Sequence, residues 1–67
     1  MDEYTIEEIH LSLVNGQRRQ MVDQIKKYGL YNFFSDYKIY IEGLYSMAGQ
    51  YSYFADCVIS FNRINNR

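Results

Sequence analysis

A single cysteine, Cys57, and a single histidine, His10, limit how this 67-residue chain can stabilise a fold. One cysteine cannot form an internal disulfide, and the two residues together provide too few ligands for an ordinary zinc site. A domain of this length buries only about 60% of its unfolded surface, so it needs a further source of stability. We therefore expect one small domain over residues 1–67, held by dense aromatic packing or by self-association, with no metal or cofactor.

The composition agrees with a packed domain. Hydrophobic residues make up 48% of the chain, and the twelve aromatic residues are eight tyrosines and four phenylalanines. This content is too high for a disordered chain. Because a tyrosine ring can be buried at one end and meet water or a partner at the other, we expect part of the tyrosine set to be exposed.

The first two helices are predicted from capping and periodicity. Thr5 and Glu8 match a capping box, and apolar residues then recur at helical spacing at Ile6, Ile9, Leu13 and Val14. Asn15-Gly16 indicates a break, with Asn15 capping a second helix. Its apolar side carries Met21, Val22, Ile25 and Tyr28, and Gly29 is placed to end it.

The second half of the chain allows two interpretations. A third helix is expected from about residue 31 to residue 47, capped by Asn32 or Ser35 and ended by Gly49. Residues 51–61 fit a helix, yet their odd positions are all apolar, which is typical of a strand. We favour an all-α fold, a compact bundle of about four short helices. The alternative is an α+β fold in which residues 37–42 pair with this segment in a C-terminal hairpin.

Catalysis is not predicted. His10 and Cys57 are the only candidates for a base and a nucleophilic thiol, and each lies in an amphipathic or apolar context typical of packing. Acidic residues follow Met1 where a signal peptide would be basic, and no apolar run is long enough to span a bilayer. A free cysteine is also typical of a reducing compartment. The expectation is a cytoplasmic, non-enzymatic protein with no membrane partner.

Two sets of residues are candidate contact sites. The first is a basic segment along the second helix, from its start to its last turn, suited to phosphates or base edges: Gln17, Arg18, Arg19, Lys26 and Lys27. The formal net charge of −1 gives such a site little electrostatic attraction for nucleic acid. The second set consists of tyrosines in excess of what a small core can hide: Tyr31, Tyr40, Tyr45, Tyr51 and Tyr53. Since tyrosine is enriched in protein interfaces, this set predicts a protein-binding surface.

Residues 12–20 (SLVNGQRRQ) and 27–37 (KYGLYNFFSDY) resemble a pattern of short uncharacterised proteins of bacteriophages, plasmids and conjugative elements. The resemblance defines no family and carries no functional residue. It implies a small bacterial mobile-element protein, and such proteins often block host machinery or regulate the element's own genes.

The leading hypothesis is a protein-interaction module that binds a host or self protein surface. In its most specific form, this hypothesis predicts an inhibitor of a host defence system such as CRISPR or restriction. The bound surface can also belong to a second copy of the chain, in a homodimer. The alternative is a small nucleic-acid-binding regulator that uses Arg18 and Arg19.

Overall fold

The computed structural model describes residues 4–66, so the acidic residues after Met1 and the terminal Arg67 lie outside the described part. It contains four helices, α1 (Ile6–Val14), α2 (Arg18–Tyr28), α3 (Leu30–Leu44) and α4 (Met47–Asn65). Helix α2 packs against the other three, and α3 packs against α1 and α4. The all-α prediction is confirmed. The hairpin alternative is wrong, since residues 4–66 contain no strand.

The start of α1 follows the predicted capping box. The backbone N–H of Glu8 donates to the Thr5 hydroxyl oxygen at 3.1 Å, and the backbone N–H of Thr5 donates to the Glu8 carboxylate at 2.8 Å. Two backbone donors that the helix leaves unpaired are thereby satisfied. This arrangement fixes the first turn and directs Ile9 and Leu13 into the core.

The break between α1 and α2 is made by Gly16, whose φ of +77° is a left-handed conformation suited to glycine. The N–H of Gly16 donates to the carbonyl of Leu13 at 3.1 Å, and the N–H of Gln17 donates to that of Ser12 at 2.8 Å. These two bonds are the Schellman ending of a helix. The prediction that Asn15 caps α2 is therefore wrong, because Asn15 ends α1 and Gln17 precedes α2 without a side-chain cap.

Gly29, with φ of +113°, both ends α2 and precedes α3. Because Gly29 alone separates the two helices, α3 begins at Leu30, and neither Asn32 nor Ser35 caps it. Helix α3 ends where Tyr45 adopts an extended conformation, not at Gly49 as predicted. Gly49 lies inside the first turn of α4 and packs closely on Tyr45, since a β-carbon there would come within 3.0 Å of the Tyr45 Cβ.

The apolar odd positions of residues 51–61, which are typical of a strand, lie within helix α4. Cys57, Ser60 and Phe61 are buried at helical spacing, whereas Tyr51 and Ile59 are exposed. The apolar odd positions therefore do not share a face. The residues that make up the core come from all four helices: Ile9, Leu13, Met21, Val22, Ile25, Phe33, Tyr37, Ile41, Cys57 and Phe61.

Candidate functional site

His10 lies at the centre of a buried polar cluster between α1, α3 and the start of α4. Its side chain is only 4% exposed. Its Nδ1 is 2.8 Å from the Tyr37 hydroxyl, and its Nε2 is 2.8 Å from the Tyr45 hydroxyl. A neutral imidazole has one donor and one acceptor, and a tyrosine hydroxyl can serve either. Both ring nitrogens are therefore satisfied while His10 remains neutral.

Four tyrosine rings surround this imidazole. The ring centroids of Tyr37, Tyr40, Tyr45 and Tyr53 lie 5.7, 5.6, 5.6 and 5.1 Å from that of His10. We call these five residues the histidine–tyrosine cluster. Three of the five tyrosines predicted to contact a partner, Tyr40, Tyr45 and Tyr53, are partly buried here against the core.

Burial favours the neutral form of the cluster. Loss of solvent around His10 lowers the pKa of its imidazole, and burial likewise raises the pKa of the Tyr37 hydroxyl. Across residues 4–66, every buried side-chain nitrogen or oxygen has a hydrogen-bond partner. The cluster is thus a satisfied polar part of the core, and its arrangement offers no charged or unpaired group for chemistry.

Cys57 is also enclosed. Its Sγ lies 3.9 Å from the Met21 Sδ in the core. Burial, with a smaller contribution from the nearby Asp56 charge, raises the pKa of the Cys57 thiol to about 12. The nucleophilic thiolate is therefore scarce at neutral pH. Within the described residues, no group of three His, Cys, Asp or Glu side chains is arranged to hold a metal ion.

An open apolar groove of about 380 Å³ runs between α3 and α4. We call it the α3–α4 groove, and the residues that line it are Lys38, Ile41, Glu42, Met47, Gln50, Tyr51 and Phe54. Met47 and Tyr51 are 82% and 79% exposed, although both are large and mainly apolar. Residues 47 and 51 are one helical turn apart, so they form a ridge along one wall.

The opposite wall of the groove carries one charge of each sign. The Lys38 Nζ lies 2.7 Å from the Glu42 carboxylate, one turn further along α3. Next to the groove, on the side of Tyr51, α4 has a face without charged side chains. The residues of this face are Ala48, Ser52, Ala55 and the exposed Ile59. This part of the molecule therefore combines an apolar surface with a neutral rim.

Of the five predicted interface tyrosines, Tyr51 lines the groove and Tyr31 is exposed at the start of α3, where it is 88% accessible. Sequence reasoning missed Met47, Lys38 and Glu42 as members of a surface. The spacing of Met47, Tyr51 and Phe54 was the available signal. It was obscured because the predicted boundary between the third and fourth helices lay at Gly49.

The predicted basic segment does not form one continuous contact surface. Arg18 turns toward α4, where its Nη2 pairs with the Asp56 carboxylate at 3.1 Å and its Nε donates to the Ser60 hydroxyl at 3.0 Å. The remaining residues of the set are divided. Gln17 is exposed just before α2, and Arg19 and Lys26 are exposed on α2. Lys27 lines a polar pocket with Tyr4, Tyr28, Asn32 and Asp36.

Comparison of the chain with family models, with curated proteins and with solved structures finds no match. Among the helices of residues 4–66, none has the length and the apolar character that crossing a membrane requires.

Proposed function

We propose that this chain is a non-enzymatic protein-interaction module and that the α3–α4 groove is the surface with which it binds another protein. The observation that carries this proposal is the exposure of Met47 and Tyr51 beside an apolar recess. Isolated exposed apolar residues are common, but two on one ridge above a recess form a continuous apolar surface.

Physical chemistry supports a protein as the occupant. Burying a methionine-sized apolar side chain contributes about 1.5–3 kcal/mol, and tyrosine and methionine are both enriched in interfaces. The surface that lines the recess is mainly aliphatic and aromatic. Such a surface fits side chains that project from another folded chain.

The resemblance of residues 12–37 to mobile-element proteins suggests where the chain acts. In that setting the chain acts on a bacterial host and, in its sharpest form, inhibits a defence system such as restriction or CRISPR. Expression in bacteria with an active defence system should raise the plating efficiency of a targeted phage. An unchanged efficiency across restriction and CRISPR strains would remove this sharper form.

Photocrosslinking tests the groove directly. A benzophenone amino acid replaces Tyr51 in one variant and Tyr31 in the matched control, because Tyr31 is also an exposed tyrosine but does not line the groove. We expect position 51 to give one discrete protein adduct in cells that position 31 does not give. Equal crosslinking from both positions, or none from position 51, would contradict the proposal.

The alternative function is nucleic-acid binding through α2. Its support is that Arg19 and Lys26 are exposed and two helical turns apart, hence on one face. Arg18 is engaged by Asp56, and Asp23 lies near the same face, which weakens the positive potential. This alternative predicts salt-sensitive binding to DNA or RNA that falls when Arg19 and Lys26 become alanine. The absence of binding at low salt would exclude it.

A further inference from the structure

We propose that the occupant of the α3–α4 groove is a second copy of this chain, bound about a two-fold axis that passes between Lys38 and Glu42. This inference rests on the proposed function, because it names the protein that the groove binds. The contact would be isologous, with the same surface used on both copies.

The shape of the surface is self-complementary. An isologous interface requires that one patch present both a projection and a recess, since each copy must receive what the other inserts. The exposed ridge of Met47 and Tyr51 is the projection, and the space above Ile41 and Phe54 is the recess. Both lie side by side on α3 and α4.

The charges are self-complementary as well. Lys38 and Glu42 are opposite in sign and one turn apart on α3. A two-fold axis between them reverses their order in the second copy, so each Lys38 faces Glu42 of the second copy. A partner whose facing surface carries charges of only one sign would instead repel either Lys38 or Glu42.

The position of Tyr51 fits this axis. Lys38, Glu42 and Tyr51 all line the same groove. A contact centred on that groove therefore includes Tyr51 of each copy, which can enter the recess of the other. No charged residue lies on the α4 ridge, so pairing there would bury no unmatched charge.

The area required is within reach of a small chain. The described residues expose 4671 Å². A standard interface takes about 800 Å² from each partner, which is roughly a sixth of that surface. Pairing would also bury further surface in a domain whose length limits how much it buries alone.

Sedimentation equilibrium over a concentration series tests the inference with Tyr51→Ser and the control Tyr31→Ser. Each copy would lose a central aromatic contact, worth at least about tenfold in affinity. We therefore expect Tyr51→Ser to raise the dimer dissociation constant about a hundredfold and Tyr31→Ser to leave it nearly unchanged. Far-UV circular dichroism verifies that both exposed-site variants keep the wild-type helix content.

Charge variants test the axis independently. Lys38→Glu and Glu42→Lys each place like charges on both sides of the axis, so each variant alone should dimerise about tenfold more weakly. A mixture of the two variants should form heterodimers with an affinity near that of the wild type. Repulsion within a single α3 helix cannot be relieved by mixing, so this rescue reports on the contact between copies.

Three results would overturn the inference: a monomer at all concentrations up to about 1 mM, equal effects of Tyr51→Ser and Tyr31→Ser, or a mixture of charge variants that associates no better than either alone. The proposed function is tested separately by the photocrosslink at position 51. A crosslink to a different protein from a monomeric chain would retain the proposed function and reject the second copy.

Discussion

Removal of the Tyr37 hydroxyl tests the role of the histidine–tyrosine cluster. In Tyr37→Phe the ring can keep its stacking on Phe33, whose centroid is 5.1 Å away at an interplanar angle of 18°. The change removes the group that lies 2.8 Å from the His10 Nδ1. Tyr37 is fully buried, so water cannot easily replace this partner. A buried polar group left without a partner costs about 1–3 kcal/mol.

We expect the free energy of unfolding to fall by that amount in urea titrations followed by circular dichroism, with an unchanged denaturant slope. For a domain of this size, each kcal/mol corresponds to a decrease in Tm of about 4–8 °C. Tyr45→Phe should cost less, because Tyr45 is only partly buried. Tyr31→Phe, at an exposed site, should cost nothing measurable. A loss below about 0.5 kcal/mol in Tyr37→Phe would refute the argument that this hydroxyl satisfies His10.

Three further predictions concern single residues. Burial lowers the pKa of His10 in the folded state. The unfolded state therefore binds more protons than the folded state once the pH falls through about 6.5, and thermal stability should decrease from pH 7.5 to 5. The His10→Gln variant should show a flatter profile, and identical profiles would contradict this linkage. Cys57, with its thiol pKa near 12, should react with a thiol reagent only after denaturation, and rapid labelling of the folded chain would contradict its burial. Thr5→Ala should destabilise the fold by about 1 kcal/mol in urea unfolding, whereas Thr5→Ser should keep the cap, and equal losses would contradict the capping box.

The sequence predicted the number and type of helices because those features depend on local signals. The capping box at Thr5 and the glycines at the two sharp turns act within a few residues. The boundary between α3 and α4 could not be predicted in this way. Gly49 is a helix breaker by propensity, yet it lies within α4, where its missing side chain leaves room for Tyr45 to approach His10. That requirement is tertiary, and it overrides propensity.

The candidate surface was predicted only in part for a related reason. Tyr51 and Tyr31 were expected to be exposed, but the sequence did not distinguish them from tyrosines that surround His10. An isolated histidine on an amphipathic helix carries no sequence signal for its partners. Those partners are 27 and 35 residues away along the chain. Their meeting depends on the packing of α1 against α3.

The division of the tyrosines also changes how their number should be interpreted. A chain without tryptophan that must fill a core from few residues can use tyrosine rings for volume, provided that their hydroxyls find partners. His10 provides two such partners directly, so one polar residue allows several rings to pack beside it. The abundance of tyrosine is therefore partly a property of the core. Tyr51 and Tyr53 are two positions apart on α4 and therefore point to different sides of the helix. The ring of Tyr51 lines the open groove, whereas the ring of Tyr53 packs on the buried His10.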